Sequence, residues 1–443
     1  MIVPRLRLIA WTALIVLPFA ALAGSWAPAV PVTALLIGGL AALALGDAIL
    51  ARSSLRGLRV ELPALVRMQK DRPAFLEATV RNNAATAREV QLGIAFPEEI
   101  APDTETRRVR LPAGAESSRI DWPCTGQKRG RFVIDRVFLE ANSPLGFWAA
   151  RGSHAASTEL RVYPDLLSER RNVAAVFLRR NAGGIHAQRS AGQGREFEKL
   201  REYVAGDSIG DVHWKASGKR RQLVTKVHQV ERSHEVYVIV DGSRLSARSI
   251  EGKSSATALE RFVTAALILG MAAEQQGDQF GLVTFTDRVL SFMRARSGPA
   301  HFDACRDQLY TLQPEMVTPD FEELCAFLKL RLRKRALLVF LTALDDPFLA
   351  DSFVKSSELL SRKHLLLVNT LRPGTARPLF SNSRVARLDD VYQQLGGHWQ
   401  WQRLRELEMV LRRRGIRFAA LDSDALAAGL VRQHAEVRAR ELV

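Results

Sequence analysis

Thirty-nine consecutive positions, Leu8 to Gly46, carry no charged residue. One helix crosses the ~30 Å apolar core of a bilayer with about 20 residues, so this stretch is long enough for two. Gly24-Ser25 and Pro28 divide it. The pattern predicts helices over about 8–25 and about 30–50, joined by a tight turn. Trp26 suits the membrane interface, and Gly38-Gly39 lets two helices approach closely. Arg5 and Arg7 precede the first helix, Arg52, Arg56 and Arg59 follow the second, and the turn has neither Lys nor Arg. That asymmetry predicts both ends on the cytoplasmic side of a membrane. Arg5, Arg7, a short apolar run and Ala21-Leu22-Ala23 also have the form of a cleavable leader. The apolar run continues beyond that point, and under either reading the second helix anchors a cytoplasmic body.

The rest of the chain has globular composition, with 47% hydrophobic and 25% charged residues in 443. Cys124, Cys305 and Cys325 lie far apart, with no CxxC or Cys/His cluster. A disulfide framework or a zinc site is therefore not expected.

Four segments follow from the pattern: a membrane hairpin over 1–56, an all-β domain over 57–165, a connector over 166–230 and an α/β domain over 231–443. In the second, short runs such as Ala74–Val80, Glu89–Ile94, Arg107–Leu111, Arg131–Leu139 and Glu159–Tyr163 alternate with turn residues, the pattern of an immunoglobulin- or fibronectin-like sandwich. The connector holds Gly183-Gly184 and Gly192-Gln193-Gly194 and reads as a loop, with no buried strand leading into a phosphate-binding turn. From Val236 onward, apolar strands alternate with helices. Strands are expected at Val236–Val240, Phe280–Phe285, Ala336–Leu341, Leu365–Leu371 and Ile416–Leu421, with Val289–Met293 antiparallel beside the second. Helices are expected at Ala256–Gln276, His301–Leu312, Asp320–Leu332, Asp346–Leu360 and Trp399–Arg414. Repeated β-then-α units predict a doubly wound sheet.

Such sheets bind ligands at the carboxyl ends of their strands. Two ends are legible, 236-VYVIVDGSRLS-246 and 337-LLVFLTALDDP-347. An Asp with nearby hydroxyls at a strand end can hold a hard divalent cation.

The stretch 194-GREFEKLREYVAGDSIGDVHWKASGKRRQLVTKV-227, with 129-RGRF-132, 143-SPLGF-147 and 162-VYP-164 upstream, resembles the von Willebrand factor A-like proteins grouped as domain of unknown function family 58. Arg201, Tyr203, Gly206, Asp207 and Trp214 carry the signature. The resemblance extends over the whole chain and implies a metal-ion-dependent adhesion site with an Asp-x-Ser-x-Ser motif. Asp241 and Ser243 match it, but Leu245 stands at the last Ser, with Ser246 one step late. Thr318 fits the expected Thr, while the second Asp falls on Ala343, with Asp345 and Asp346 late. Mg²⁺ demands near-octahedral geometry at about 2.0–2.1 Å, so weak binding or none is expected. The plainer alternative is that Asp241 and Thr318 cap helices or tie loops. Trp214 reads as a core anchor, Gly206-Asp207 as a turn, and Arg201, Tyr203 and Asp207 as a buried polar clasp.

No Gly-x-Ser-x-Gly elbow, Walker A segment or His-Glu-x-x-His is present, so an enzyme is not expected. The net charge of +16 is spread over several basic runs, among them 331-RLRKR-335 and 411-LRRRG-415. On a membrane-tethered body it suits an anionic lipid surface or an acidic partner better than nucleic acid. The resemblance implies a bacterial inner-membrane scaffold or adaptor working with an AAA+ ATPase of MoxR type on protein clients. A metal-dependent binding protein is the alternative, and a hydrolase is the remote one.

Overall fold

The computed structural model describes residues 1–82, 88–112, 117–167, 191–204, 209–229, 234–250, 256–379, 381 and 388–440. Gly183-Gly184, Gly206 and Asp207 lie outside them. The chain divides into two compact units, Met1–Asp165 and Leu166–Val443.

The first unit opens with a short strand, β1 (Ile2–Pro4), followed by two helices, α1 (Leu6–Ser25) and α2 (Val30–Ala51). Both are long and apolar enough to cross a membrane. Leu14, Leu17, Leu35 and Leu45 stand 65%, 68%, 75% and 67% exposed, the opposite of a soluble core helix. This end of the chain is membrane-associated in character. The Thr33 hydroxyl joins the two helices by donating to the Phe19 carbonyl at 3.2 Å.

Among the described residues nine strands follow: β2 (Leu58–Glu61), β3 (Leu65–Gln69), β4 (Pro73–Asn82), β5 (Arg88–Ile94), β6 (Ile100–Pro102), β7 (Thr106–Leu111), β8 (Ser118–Gly126), β9 (Gly130–Asn142) and β10 (Trp148–Tyr163). They form two sheets, one ordered β1-β10-β9-β5-β7 with β3 also on β10, the other β2-β4-β8-β6. Alternation explains the shared core. Leu76, Ala78 and Val80 of β4 and Trp122 of β8 are buried against Val90, Leu92, Leu139 and Leu160. The Trp122 indole donates to the Thr104 carbonyl at 2.9 Å, so its one polar atom is satisfied. Sequence reasoning missed β8, because Pro123 sits in its middle.

The connector is corrected by the structure. β11 (Ala191–Glu202) pairs antiparallel with β12 (Val224–Gln229), so the Gly192–Gly194 stretch is part of a strand, not a loop. A short helix, α3 (Trp214–Arg220), lies between them, its first turn capped where His213 Nδ1 accepts from the Ala216 amide at 3.1 Å.

Beyond it lies a sheet ordered β15-β14-β13-β16-β17-β18. Its strands are β13 (Glu235–Asp241), β14 (Gln279–Phe285), β15 (Val289–Arg296), β16 (Leu337–Leu341), β17 (Leu365–Leu371) and β18 (Arg417–Leu421). All neighbours are parallel except β14 with β15. The helices are α4 (Ala258–Gln275), α5 (Pro299–Leu309), α6 (Phe321–Arg331), α7 (Pro347–Ser361), α8 (Leu388–Arg413) and α9 (Leu426–Ala439). α8 begins well before the expected Trp399. The unbroken apolar strands follow from cover on both faces. Val236, Val238 and Val240 pack with α4, α5 and α9, whereas Tyr237 and Ile239 pack with α6, α7 and α8.

Candidate functional site

β13 and β16 are adjacent, and their following helices leave to opposite faces, α4 to one and α7 to the other. This is a topological switch point, where open α/β sheets form a crevice at the strand ends. Asp241 is the last residue of β13, and Thr342 follows β16 directly. Both are fully buried.

The Asp241 carboxylate is already occupied. Oδ1 accepts from the Ser243 amide at 2.8 Å, and Oδ2 meets the Thr342 hydroxyl at 2.5 Å. Burial raises its pKa from the ordinary 3.8, against the lowering effect of those hydrogen bonds. Backbone bonds tie the same turn down: Gly242 N to Phe285 O at 2.8 Å, Glu315 N to Gly242 O at 2.8 Å, and Arg244 N to Val317 O at 3.0 Å. Ser246 Oγ donates to the Ser243 carbonyl at 2.7 Å, and the Ser243 hydroxyl is buried close to the Asp241 carboxyl.

Asp241 and Ser243 are therefore brought together, but the Thr318 side chain is exposed and meets Arg244 Nε at 3.3 Å. Arg248 pairs with Asp345, and Asp346 caps α7 by accepting from the Phe348 amide at 2.9 Å. The donor set does not fit a divalent cation. Its single carboxylate already takes hydrogen bonds on both oxygens, the Thr318 hydroxyl accepts from the Arg244 guanidinium, and Ala343 offers no side-chain oxygen. Among the described residues no group of three or more His, Cys, Asp or Glu side chains could hold a metal ion.

The strand-end ledge is this turn together with two segments that carry exposed apolar side chains: the loop bonded to Gly242 and Arg244, with Met316 80% exposed, and the start of α7 just after β16, with Phe348 87% exposed. Sequence reasoning missed Thr342, Arg244, Arg248, Met316 and Phe348. Only Thr342 had a signal, as a hydroxyl one position before the place searched for an Asp.

The signature residues are elsewhere in this unit. Trp214 is 66% exposed, not a core anchor. Arg201 is exposed, its Nη1 donating to the Glu202 carbonyl at 3.3 Å, and Tyr203 is half-buried, while Asp207, the third member of the expected clasp, lies outside the described residues. What their segment builds is the ribbon, with Val224 fully buried and Ser217 Oγ accepting from its amide at 3.0 Å.

An apolar helical hairpin with a β-rich region, followed by a mostly parallel α/β sheet with a closed strand-end turn, describes a class of membrane-associated proteins. Residues 199–376 match a family model described as a protein of unknown function, DUF58. No curated protein matches the chain. Among solved structures, it is similar to an aerotolerance-related membrane protein from Bacteroides fragilis, at 13% identity and a TM-score of 0.30, covering 46% of this chain and 99% of that one. It is also similar to the conserved hypothetical protein BatB from Bacteroides thetaiotaomicron, at 12% identity and a TM-score of 0.29, covering 47% and 100%. Similarity at that level carries no functional argument.

Proposed function

We propose that this chain is a membrane-anchored adaptor of a bacterial inner membrane, with a cytoplasmic body that binds other proteins and performs no catalysis. The α1–α2 hairpin crosses the membrane twice. The β domain, read as an immunoglobulin-like sandwich, spaces or docks. The α/β domain, read as von Willebrand factor A-like, presents its strand-end ledge to an AAA+ ATPase of MoxR type and to protein clients. The observation that supports this reading is exposed Met316, on the loop bonded to a turn whose polar groups are largely spent internally, with Phe348 exposed at the start of α7. Exposed apolar side chains, one of them on a loop held by Arg244, have the composition of a protein contact. The test is capture of a purified MoxR-type ATPase by the full-length protein in detergent. Met316→Ser with Phe348→Ser, and separately Thr318→Ala, should weaken capture; unchanged capture by all three substitutions would remove the ledge from the account.

The second reading, a metal-dependent binding protein, has one observation in its favour: the buried Asp241 carboxyl and Ser243 hydroxyl stand together at the strand end. Mg²⁺ titration separates the two.

A further inference from the structure

The described part of the first unit holds a polar cavity of about 500 Å³ beside the first turn of α1, walled by Arg5, Arg7 and Arg108 with Glu89 and Glu140. We propose that this cavity receives the phosphate of an anionic phospholipid headgroup. The inference rests on the reading that α1 and α2 cross the membrane.

Position supports it first. α1 has 20 residues, which at about 1.5 Å each span the ~30 Å hydrocarbon layer, so Arg5 and Arg7 stand at headgroup depth. Leu6, 81% exposed between them, lies where acyl chains begin.

Charge supports it next. Glu140 is neutralised within the unit, by Arg5 Nη2 at 2.5 Å and Arg151 Nε at 2.7 Å. Glu89 lies directly across the β5–β7 ladder from Arg110, on the side of the sheet that Gln91 and Arg108 share. Arg7 packs against Gly146, whose φ of +74° is strained for any other residue and whose Cβ position lies 3.1 Å from the guanidinium. Neither Arg7 nor Arg108 has an acidic partner among the described residues. Two guanidiniums on a polar cavity match the planar, paired hydrogen bonding of a phosphate. The same chemistry could come from soluble phosphate, so the experiment must separate the sources.

The full-length protein is placed in nanodiscs of phosphatidylethanolamine with roughly a quarter phosphatidylglycerol, and the lipid it retains on ejection is measured by native mass spectrometry. Arg7→Gln with Arg108→Gln should lower retained phosphatidylglycerol roughly tenfold, as expected for losing charge-assisted hydrogen bonds. Arg52→Gln with Arg56→Gln removes equal charge from the same membrane face outside the cavity, and should leave retention unchanged. Arg108→Gln alone, on an exposed strand position, covers the case in which Arg7 is needed for insertion. Equal loss in both pairs, or loss in neither, overturns the site. Displacement of the lipid by inorganic phosphate overturns the lipid assignment in favour of a soluble anion. Release of the protein from membranes without detergent would sink the membrane reading itself, and the assignment with it.

Discussion

The Ser143 hydroxyl donates to Asp47 Oδ2 at 2.5 Å, joining positions 96 residues apart. Asp47 belongs to α2 and is buried, and the amides of Leu145 and Phe147 donate to the same carboxylate at 3.0 and 3.2 Å. The Trp148 indole reaches the Ala44 carbonyl at 2.8 Å, and β1 pairs with Trp148–Ala150. The 143-SPLGF-147 segment is thus a clasp that fastens the helical hairpin to the β domain.

Asp47→Ala leaves three donors without their acceptor and should destabilise the first unit by about 2–3 kcal/mol, with Ser143→Ala costing about 1 kcal/mol. Thermal melting of the full-length protein in detergent reads this. Shifts within about 0.5 kcal/mol for both would show that the clasp carries no load.

Asp241 should behave as a structural carboxyl. Asp241→Asn keeps an acceptor for the Ser243 amide and should cost less than about 1 kcal/mol, whereas Asp241→Ala strips partners from Ser243 and Thr342 and should cost about 2–3 kcal/mol. The pH dependence has a definite sign. Burial raises its pKa, so the folded protein holds the proton where the unfolded chain, near 3.8, has released it. Its stabilising contribution is full below that value and is lost as pH rises through the folded pKa. Denaturant melts across that range should show this component in the wild type and not in Asp241→Asn.

His364, just before β17, gives the opposite slope. Burial, with Lys363 adding to it, pushes its pKa down to about 4 from 6.5. The unfolded chain therefore takes up a proton that the folded protein refuses, and stability falls as pH drops from about 6.5 to about 4. The difference is at most about 3 kcal/mol. His364→Gln should remove this part of the slope in urea melts at pH 7 and pH 5. An unchanged slope would place the acid sensitivity elsewhere.

Much of the architecture was legible because its signals are local. Val236–Val240 and Leu337–Leu341 are apolar at every position, since helices cover both faces of the sheet. The charge-free amino-terminal stretch announced the hairpin because its length and hydropathy alone mark two apolar helices. What escaped depends on distant partners. Nothing near Asp47 points to Ser143, and Thr342 gains meaning only when β16 is laid beside β13. Trp214 misled because residue type outweighed context: an indole is usually buried, and this one opens a short exposed helix. Asp241 and Ser243 were found by motif, but the motif could not reveal that the carboxylate was already bonded to its neighbours.

The most direct test of that point is calorimetric titration of Mg²⁺ and Mn²⁺ into the full-length protein, with Asp241→Asn beside it. A carboxyl committed to Ser243 and Thr342 predicts no saturable heat in either protein. One-to-one binding by the wild type, abolished in Asp241→Asn, would contradict it and restore the strand-end turn as an ion site.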